Sequence, residues 1–140
     1  MSATGAVLVD SGFLVALGVQ SDPRHPRARA FLRQYRGRYL VPSPVVVETC
    51  YFLSSVAKVR LLDWLTGTQC EVLEVPTAAF PEVASIIGRY SDMDPDFTDA
   101  ALVWLAGKHD CAEVLTVDRR DFSAFRIGGR RKFRIVDWDR

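Results

Sequence analysis

Residues 94–122, DPDFTDAALVWLAGKHDCAEVLTVDRRDF, constrain the fold more than any other stretch of this chain. The pattern predicts a helix that starts near Asp96 or Phe97 and runs through Ala106, a short linker, and a strand over Glu113–Val117. Asp99 falls in the first turn of that helix, and Asp118 stands at the C-terminal end of the strand. In an α/β sheet this is the edge where ligands bind. The question for the rest of the chain is whether other acids arrive at the same edge.

The remaining segments repeat the strand-then-helix alternation. Ala6–Val9 is a short apolar, β-branched run that reads as a buried strand, and it ends on Asp10-Ser11-Gly12, a turn or cap signal. A short apolar helix is predicted over Phe13–Gly18. A second covers His25–Tyr35, with Ala28, Phe31, Leu32 and Tyr35 at helical spacing and Gly37 as its stop. Arg38–Val41 reads as the second strand. Ser43 is a candidate N-cap and Pro44 a first-turn proline, so a helix is expected from Pro44 to about Val56 despite the β-branched Val45–Val47. A further helix is expected over Arg60–Leu65, a third strand over Cys70–Val75, and a helix from Pro76-Thr77 to Tyr90. After Asp118 come a short turn or helix at Asp121-Phe122, a turn at Gly128-Gly129 and a last strand over Phe133–Val136. No repeat or linker interrupts the pattern. The alternation implies an α/β fold, a mostly parallel sheet covered on both faces, in one domain spanning 1–140.

Charge and cysteine usage narrow the function classes. The net charge of +1 does not announce a nucleic-acid binder. The distribution is uneven, with one basic run from Arg24 to Arg38 and another from Arg119 to Arg140; such runs are usually solvated faces. Cys50, Cys70 and Cys111 are odd in number and widely spaced, which argues against a disulfide framework or a zinc ribbon and fits a reducing cytoplasm. No basic-then-apolar leader opens the chain, and no apolar run approaches the roughly 20 residues a membrane span needs. A soluble, cytoplasmic protein is expected.

Four carboxylates stand at element ends: Asp10, Glu48, Asp99 and Asp118. Parallel strands place their C-terminal ends on one edge, so convergence is plausible from topology. Carboxylates brought together inside a protein cannot all stay ionised cheaply, and a hard divalent cation removes the conflict. Mg²⁺ or Mn²⁺ suits an all-oxygen set, whereas zinc would want Cys or His. Each acid also has a structural reading. Asp10 serves as a helix cap, Glu48 as part of a solvated helix face, and Asp99 and Asp118 as members of Asp96/Asp99 and Asp118/Asp121 capping pairs. Asp92, Asp94 and Asp96 read mainly as loop solvation, with Asp96 kept open as a further ligand. His25 and His109 lie in polar helix-end contexts, and Trp64, Trp104 and Trp138 read as core or interface. No phosphate-binding glycine loop or nucleophile elbow is present.

At these residues the chain resembles the PIN-domain proteins, specifically the VapC-type toxin nucleases. LVDSGFLVAL is similar to the family's first-strand motif with Asp10 as its first acid, and PSPVVVETCYFL to the segment carrying its glutamate, here Glu48. DFTDAALVWLA is similar to its third-acid helix, with Asp99. VLTVDRRDF is similar to its T-x-D-x-x-F ending, with Thr116, Asp118 and Phe122. The resemblance covers nearly the whole chain. It implies a three-layer α/β/α sandwich and a Mg²⁺-dependent endoribonuclease, for which unpaired RNA is the expected target because its bases and backbone are accessible. It also implies an antitoxin partner whose segment covers the acidic pocket, and a homodimer. Within it, Asp10, Glu48, Asp99 and Asp118 bind metal and polarise water, Thr116 and Ser11 orient water or ligand, and Arg119, Arg120 or Arg126 hold flanking phosphates. Two other readings stay in view: a receiver-like phosphate-accepting signalling domain, and a PIN-like binding module without catalysis.

Overall fold

The computed structural model describes residues 5–140. A five-stranded parallel sheet runs in the order β3-β2-β1-β4-β7. Its strands are β1 (Ala6–Val9), β2 (Arg38–Pro42), β3 (Cys70–Leu73), β4 (Glu113–Leu115) and β7 (Arg134–Ile135). A separate antiparallel hairpin pairs β5 (Arg126–Ile127) with β6 (Arg131–Lys132). Its turn uses Gly128 and Gly129 at positive φ. The helices are α1 (Ser11–Gly18), α2 (His25–Gln34), α3 (Ser43–Cys50), α4 (Ser55–Leu65), α5 (Phe80–Arg89), α6 (Phe97–Lys108) and α7 (Arg119–Ala124).

Every residue of β1 is buried, because helices cover both of its faces. Successive side chains of a strand point to opposite faces, so the strands split their residues between two cores. Ala6, Leu8, Leu40 and Val114 pack with Leu102, Val103, Leu105 and Ala106 of α6. Val7, Val9, Tyr39 and Val41 pack on the other side with Phe13, Leu14, Ala28, Val45 and Leu61 of α1 to α4. The result is the expected three-layer sandwich. No helix among the described residues is long and apolar enough to cross a membrane.

Two elements differ from expectation in ways that bear on the site. The helix expected from Pro44 to Val56 ends at Cys50, and the one expected over Arg60–Leu65 begins earlier, at Ser55. The chain leaves α3 after Cys50, buries Leu53, and restarts with Ser54, whose side chain accepts from the Ala57 N–H at 3.2 Å. The residue preceding α3 is Pro42, and the Ser43 hydroxyl donates instead to Glu74 at 2.8 Å. The fourth strand ends at Leu115 rather than Val117. Its last stretch is diverted because the Thr116 side chain, fully buried, bonds to neighbours off the ladder. Asp118 therefore opens α7 as its N-cap, accepting from the Asp121 N–H at 3.1 Å. The hairpin of β5 and β6 has no counterpart in the expected elements, since two-residue strands give no periodicity to read.

Candidate active site

The chain builds the sheet outward on one side of β1 through β2 to β3, then returns to the other side with β4 and β7. The direction reverses between β1 and β4, and the crevice beyond the strand ends at such a reversal is the preferred ligand site of open α/β sheets. A cleft of about 390 Å³ lies there. Asp10, Glu48, Asp99 and Asp118 all line it, joined by Asp22 and Asp96. The four acids singled out in the sequence thus come to one place from four elements: the end of β1, the interior of α3, the first turn of α6 and the start of α7.

Each carboxylate is held by local chemistry. Asp10 is the N-cap of α1; it accepts from the Ser11 N–H at 2.8 Å and from the Thr116 hydroxyl at 2.8 Å. The Thr116 hydroxyl oxygen in turn accepts from the Asp118 N–H at 3.0 Å. One buried threonine thereby ties the first acid to the backbone of the fourth. Glu48 accepts from the Thr98 hydroxyl at 2.6 Å, which links α3 to the N-terminus of α6 across the cleft. Asp96 and Asp99 form a capping box, the Asp99 N–H donating to Asp96 at 2.8 Å and the Asp96 N–H to Asp99 at 3.3 Å. The capping readings for Asp10, Asp99 and Asp118 are therefore realised, and the same side chains still line the cleft.

The electrostatics show how closely these charges feel one another. Burial pushes the Asp10 carboxyl up from its ordinary 3.8 to about 6, and repulsion from Glu48 and Asp96 adds to it, against the opposing bonds from Thr116 and Ser11. Asp99 is pushed up to about 7, first by burial, then by repulsion from Asp96, Asp10 and Asp118. Among the described residues, no three His, Cys, Asp or Glu side chains form a tight, ready-made ligand cluster. The acids border one space without closing on a single point, as like charges engaged in separate hydrogen bonds do. The donor set fits a hard divalent cation: among the described residues lining the cleft it is all oxygen, with no Cys or His. A cation there would relieve the repulsion that lifts Asp10 and Asp99.

The remaining site candidates fall in different places. Ser11 lines the cleft next to Asp10, and Gly12 lies against Val117, where a Cβ would come 2.7 Å from the valine Cγ2. Thr116 lies behind Asp10, fully buried. Arg119 is engaged with Asp137 at 3.4 Å and with Asp139, while Arg120 is exposed; neither lines the cleft. The Arg126 guanidinium donates to the carbonyls of Ser123, Ala124 and Phe125, closing the end of α7. His25 bonds the Ala16 carbonyl at 2.8 Å, and Trp138 is buried against Phe13 with centroids 5.0 Å apart. Sequence reasoning missed Asp22 and Arg24 in the cleft lining. The Asp22-Pro23 turn signal was legible, but nothing in it says that the loop between α1 and α2 folds back over the acids.

A doubly covered parallel sheet with carboxylates gathered at the β1/β4 reversal is the arrangement of a PIN domain, and residues 7–127 match that family; the chain belongs to it. It is 28% identical over 134 residues to ribonuclease VapC26 of Mycobacterium tuberculosis, an alignment covering 93% of this chain and 99% of that protein. Its fold is shared by the crystal structure of VapC20 of Mycobacterium tuberculosis, a sarcin-ricin loop cleaving toxin, with a TM-score of 0.76 at 21% identity. That match covers 84% of this chain and 94% of that one.

Proposed function

We propose that this protein is a divalent-metal-dependent endoribonuclease and the toxin of a toxin–antitoxin pair. The observation that carries the reading is the cleft itself: Asp10, Glu48, Asp99 and Asp118 border one space, and burial, reinforced by repulsion from neighbouring carboxylates, raises the pKa values of Asp10 and Asp99. Likeness to VapC26, named a ribonuclease, supports the choice of RNA. Asp10, Glu48, Asp99 and Asp118 would hold Mg²⁺ or Mn²⁺, with Asp96 as a further oxygen donor. When bound, such an ion lowers the pKa of a water and offsets charge on the phosphate being cleaved. The protein's own part is positional. Thr116 fixes the Asp10 rotamer and the Asp118 backbone together, Thr98 fixes Glu48, and the capping box fixes Asp99. Unpaired RNA suits an open cleft at a sheet edge, since its backbone and bases are accessible.

The partner reading rests on the relatives and on one surface. Tyr51 and Phe52 are 84% and 66% exposed, and Val56, Val59 and Leu62 continue an apolar face along α4. Phe52 lines the acidic cleft as well, so a partner segment lying on this face would reach the acids. Antitoxin covering and homodimerisation both belong to this reading, as does a cytoplasmic setting, in which Cys50, Cys70 and Cys111 stay free thiols. The test is cleavage of defined RNAs by the purified chain with Mg²⁺ or Mn²⁺, with EDTA, and with Asp10→Asn and Asp99→Asn. Cleavage is expected only with metal and only in the unmutated protein. Cleavage that survives EDTA, or both substitutions, would overturn it.

A further inference from the structure

The acidic cleft faces an electrostatic difficulty of its own. Its lining carries Asp10, Asp22, Glu48, Asp96, Asp99 and Asp118, yet a single cationic residue among those described, Arg24. An RNA phosphate entering this field is repelled unless cations meet it. The arginine most exposed to collapse is this one, because a free guanidinium beside six carboxylates would fold onto the nearest pair and occupy the space an ion needs.

The C-terminal segment holds it away. Trp138 is buried, packs edge-on against Phe13, and donates its indole N–H to the Thr116 carbonyl at 3.2 Å. That anchor sets the next residue, Asp139, whose side chain is only 8% exposed and lies between two guanidinium groups. Arg119 takes the close contact with Asp139. Arg24 is held by the other oxygen at 3.8 Å, longer than a hydrogen bond, with 45% of its side chain open to solvent. Arg119 takes the closer of the two contacts with Asp139, and the longer one leaves Arg24 with donors unspent at the rim of the cleft. The backbone contributes as well, because the Arg24 N–H donates to Asp22 at 2.8 Å and fixes the turn from which the side chain departs.

We infer that Arg24 binds a phosphate of the RNA at the mouth of the acidic cleft, and that Asp139, anchored by Trp138, is the positioning residue that keeps Arg24 there. This rests on the ribonuclease reading above. Guanidinium suits the task because it stays charged and presents two parallel donors to phosphate oxygens.

The test measures kcat and KM for cleavage of a short unstructured single-stranded RNA with Mg²⁺, across a range of salt concentrations. The proteins are the wild type, Arg24→Ala, Arg24→Lys, Asp139→Asn, Asp139→Glu and, as control, Asp10→Asn. Arg24→Ala is expected to raise KM about tenfold, the loss of one charge-assisted contact, with a smaller change in kcat. The salt dependence of kcat/KM should also flatten, by about 0.7 in the logarithmic slope, the share of one phosphate contact on a single strand. Arg24→Lys should restore the slope but only part of KM. Asp139→Asn should raise KM in the same sense and Asp139→Glu should recover it. Arg24 lies at the surface, so its variants fold even if Asp139→Asn weakens the C-terminal anchor. If the wild type cleaves, Asp10→Asn does not, and Arg24→Ala leaves KM and salt slope unchanged, the Arg24 assignment is overturned while the nuclease stands. If the wild type cleaves nothing with metal, both fall together.

Discussion

Replacing Asp10 with Asn is expected to make the protein more stable at neutral pH, against the usual rule that a buried polar substitution destabilises. Asp10 is 8% exposed, and its carboxyl is pushed from 3.8 to about 6, chiefly by burial. The folded chain therefore binds this proton more tightly than the unfolded chain does. For a carboxyl shifted upward, stability is greatest below pH 3.8, declines as pH rises from 3.8 to about 6, and stays reduced above that. Raising this carboxyl from 3.8 to about 6, at about 1.4 kcal/mol for each tenfold change in proton affinity, corresponds to a penalty of about 3 kcal/mol above the window. Asn removes the charge and still accepts from the Ser11 N–H, but it weakens the bond from Thr116, an offset of about 1 kcal/mol. The net gain expected at pH about 7.5 is about 2 kcal/mol, and by pH about 4 it should vanish or reverse, because wild-type Asp10 is then protonated as well. Urea unfolding of both proteins at the two pH values measures this directly. Excess Mg²⁺ at the higher pH should then stabilise the wild type more than the variant, since a ligand of the folded state adds stability by mass action. A variant less stable than wild type at pH about 7.5, or one with the same gain at both pH values, would refute the electrostatic account of the cleft.

Three further outcomes follow from the structure. Tyr39 is buried among Phe13, Phe31, Tyr35 and Trp64, and its hydroxyl finds no hydrogen-bond partner among the described residues; Tyr39→Phe should leave stability unchanged or raise it by about 1 kcal/mol in a denaturant melt. Thr116→Val removes the donor to Asp10 and the acceptor for the Asp118 N–H, so it should destabilise by about 2 kcal/mol at neutral pH. Because the Thr116 bond lowers the Asp10 pKa, its loss should also move the acid limb of the cleavage–pH profile to higher pH, and an unmoved limb would separate Asp10 from catalysis. Gly12→Ala should destabilise through the 2.7 Å approach to Val117; combined with Val117→Ala it should recover, to within the roughly 1 kcal/mol by which alanine is favoured over glycine in a helix. A single substitution as stable as the recovered pair would show that Val117 yields freely.

Much of the fold and of the candidate site was legible residue by residue. The β-branched run Ala6–Val9, the Gly37 stop, and the apolar helix after Asp96 each announce themselves through local preference, and their order implies a parallel sheet. The helix break after Cys50 was not legible, because Val45–Val56 keeps apolar character across it; the burial of Leu53 and the Ser54 cap decide the break. Nor was the early end of β4, since Thr116 and Val117 are good strand residues, and it is tertiary partners, Asp10 and the Asp118 N–H at the Thr116 hydroxyl and the Trp138 indole at its carbonyl, that engage Thr116 off the ladder.

What the sequence by itself determined is the kind of chemistry on offer: four carboxylates at element ends, no thiol or imidazole set beside them, and a topology that sends strand ends to one edge. What only the tertiary structure decided is which charges face one another. Asp22 and Arg24 join the cleft from a loop, and Asp139 reaches Arg24 and Arg119 from the far end of the chain. Local preference acts over a few residues, whereas electrostatic pairing depends on distance in space, and that distance is set by how the two cores pack against the sheet.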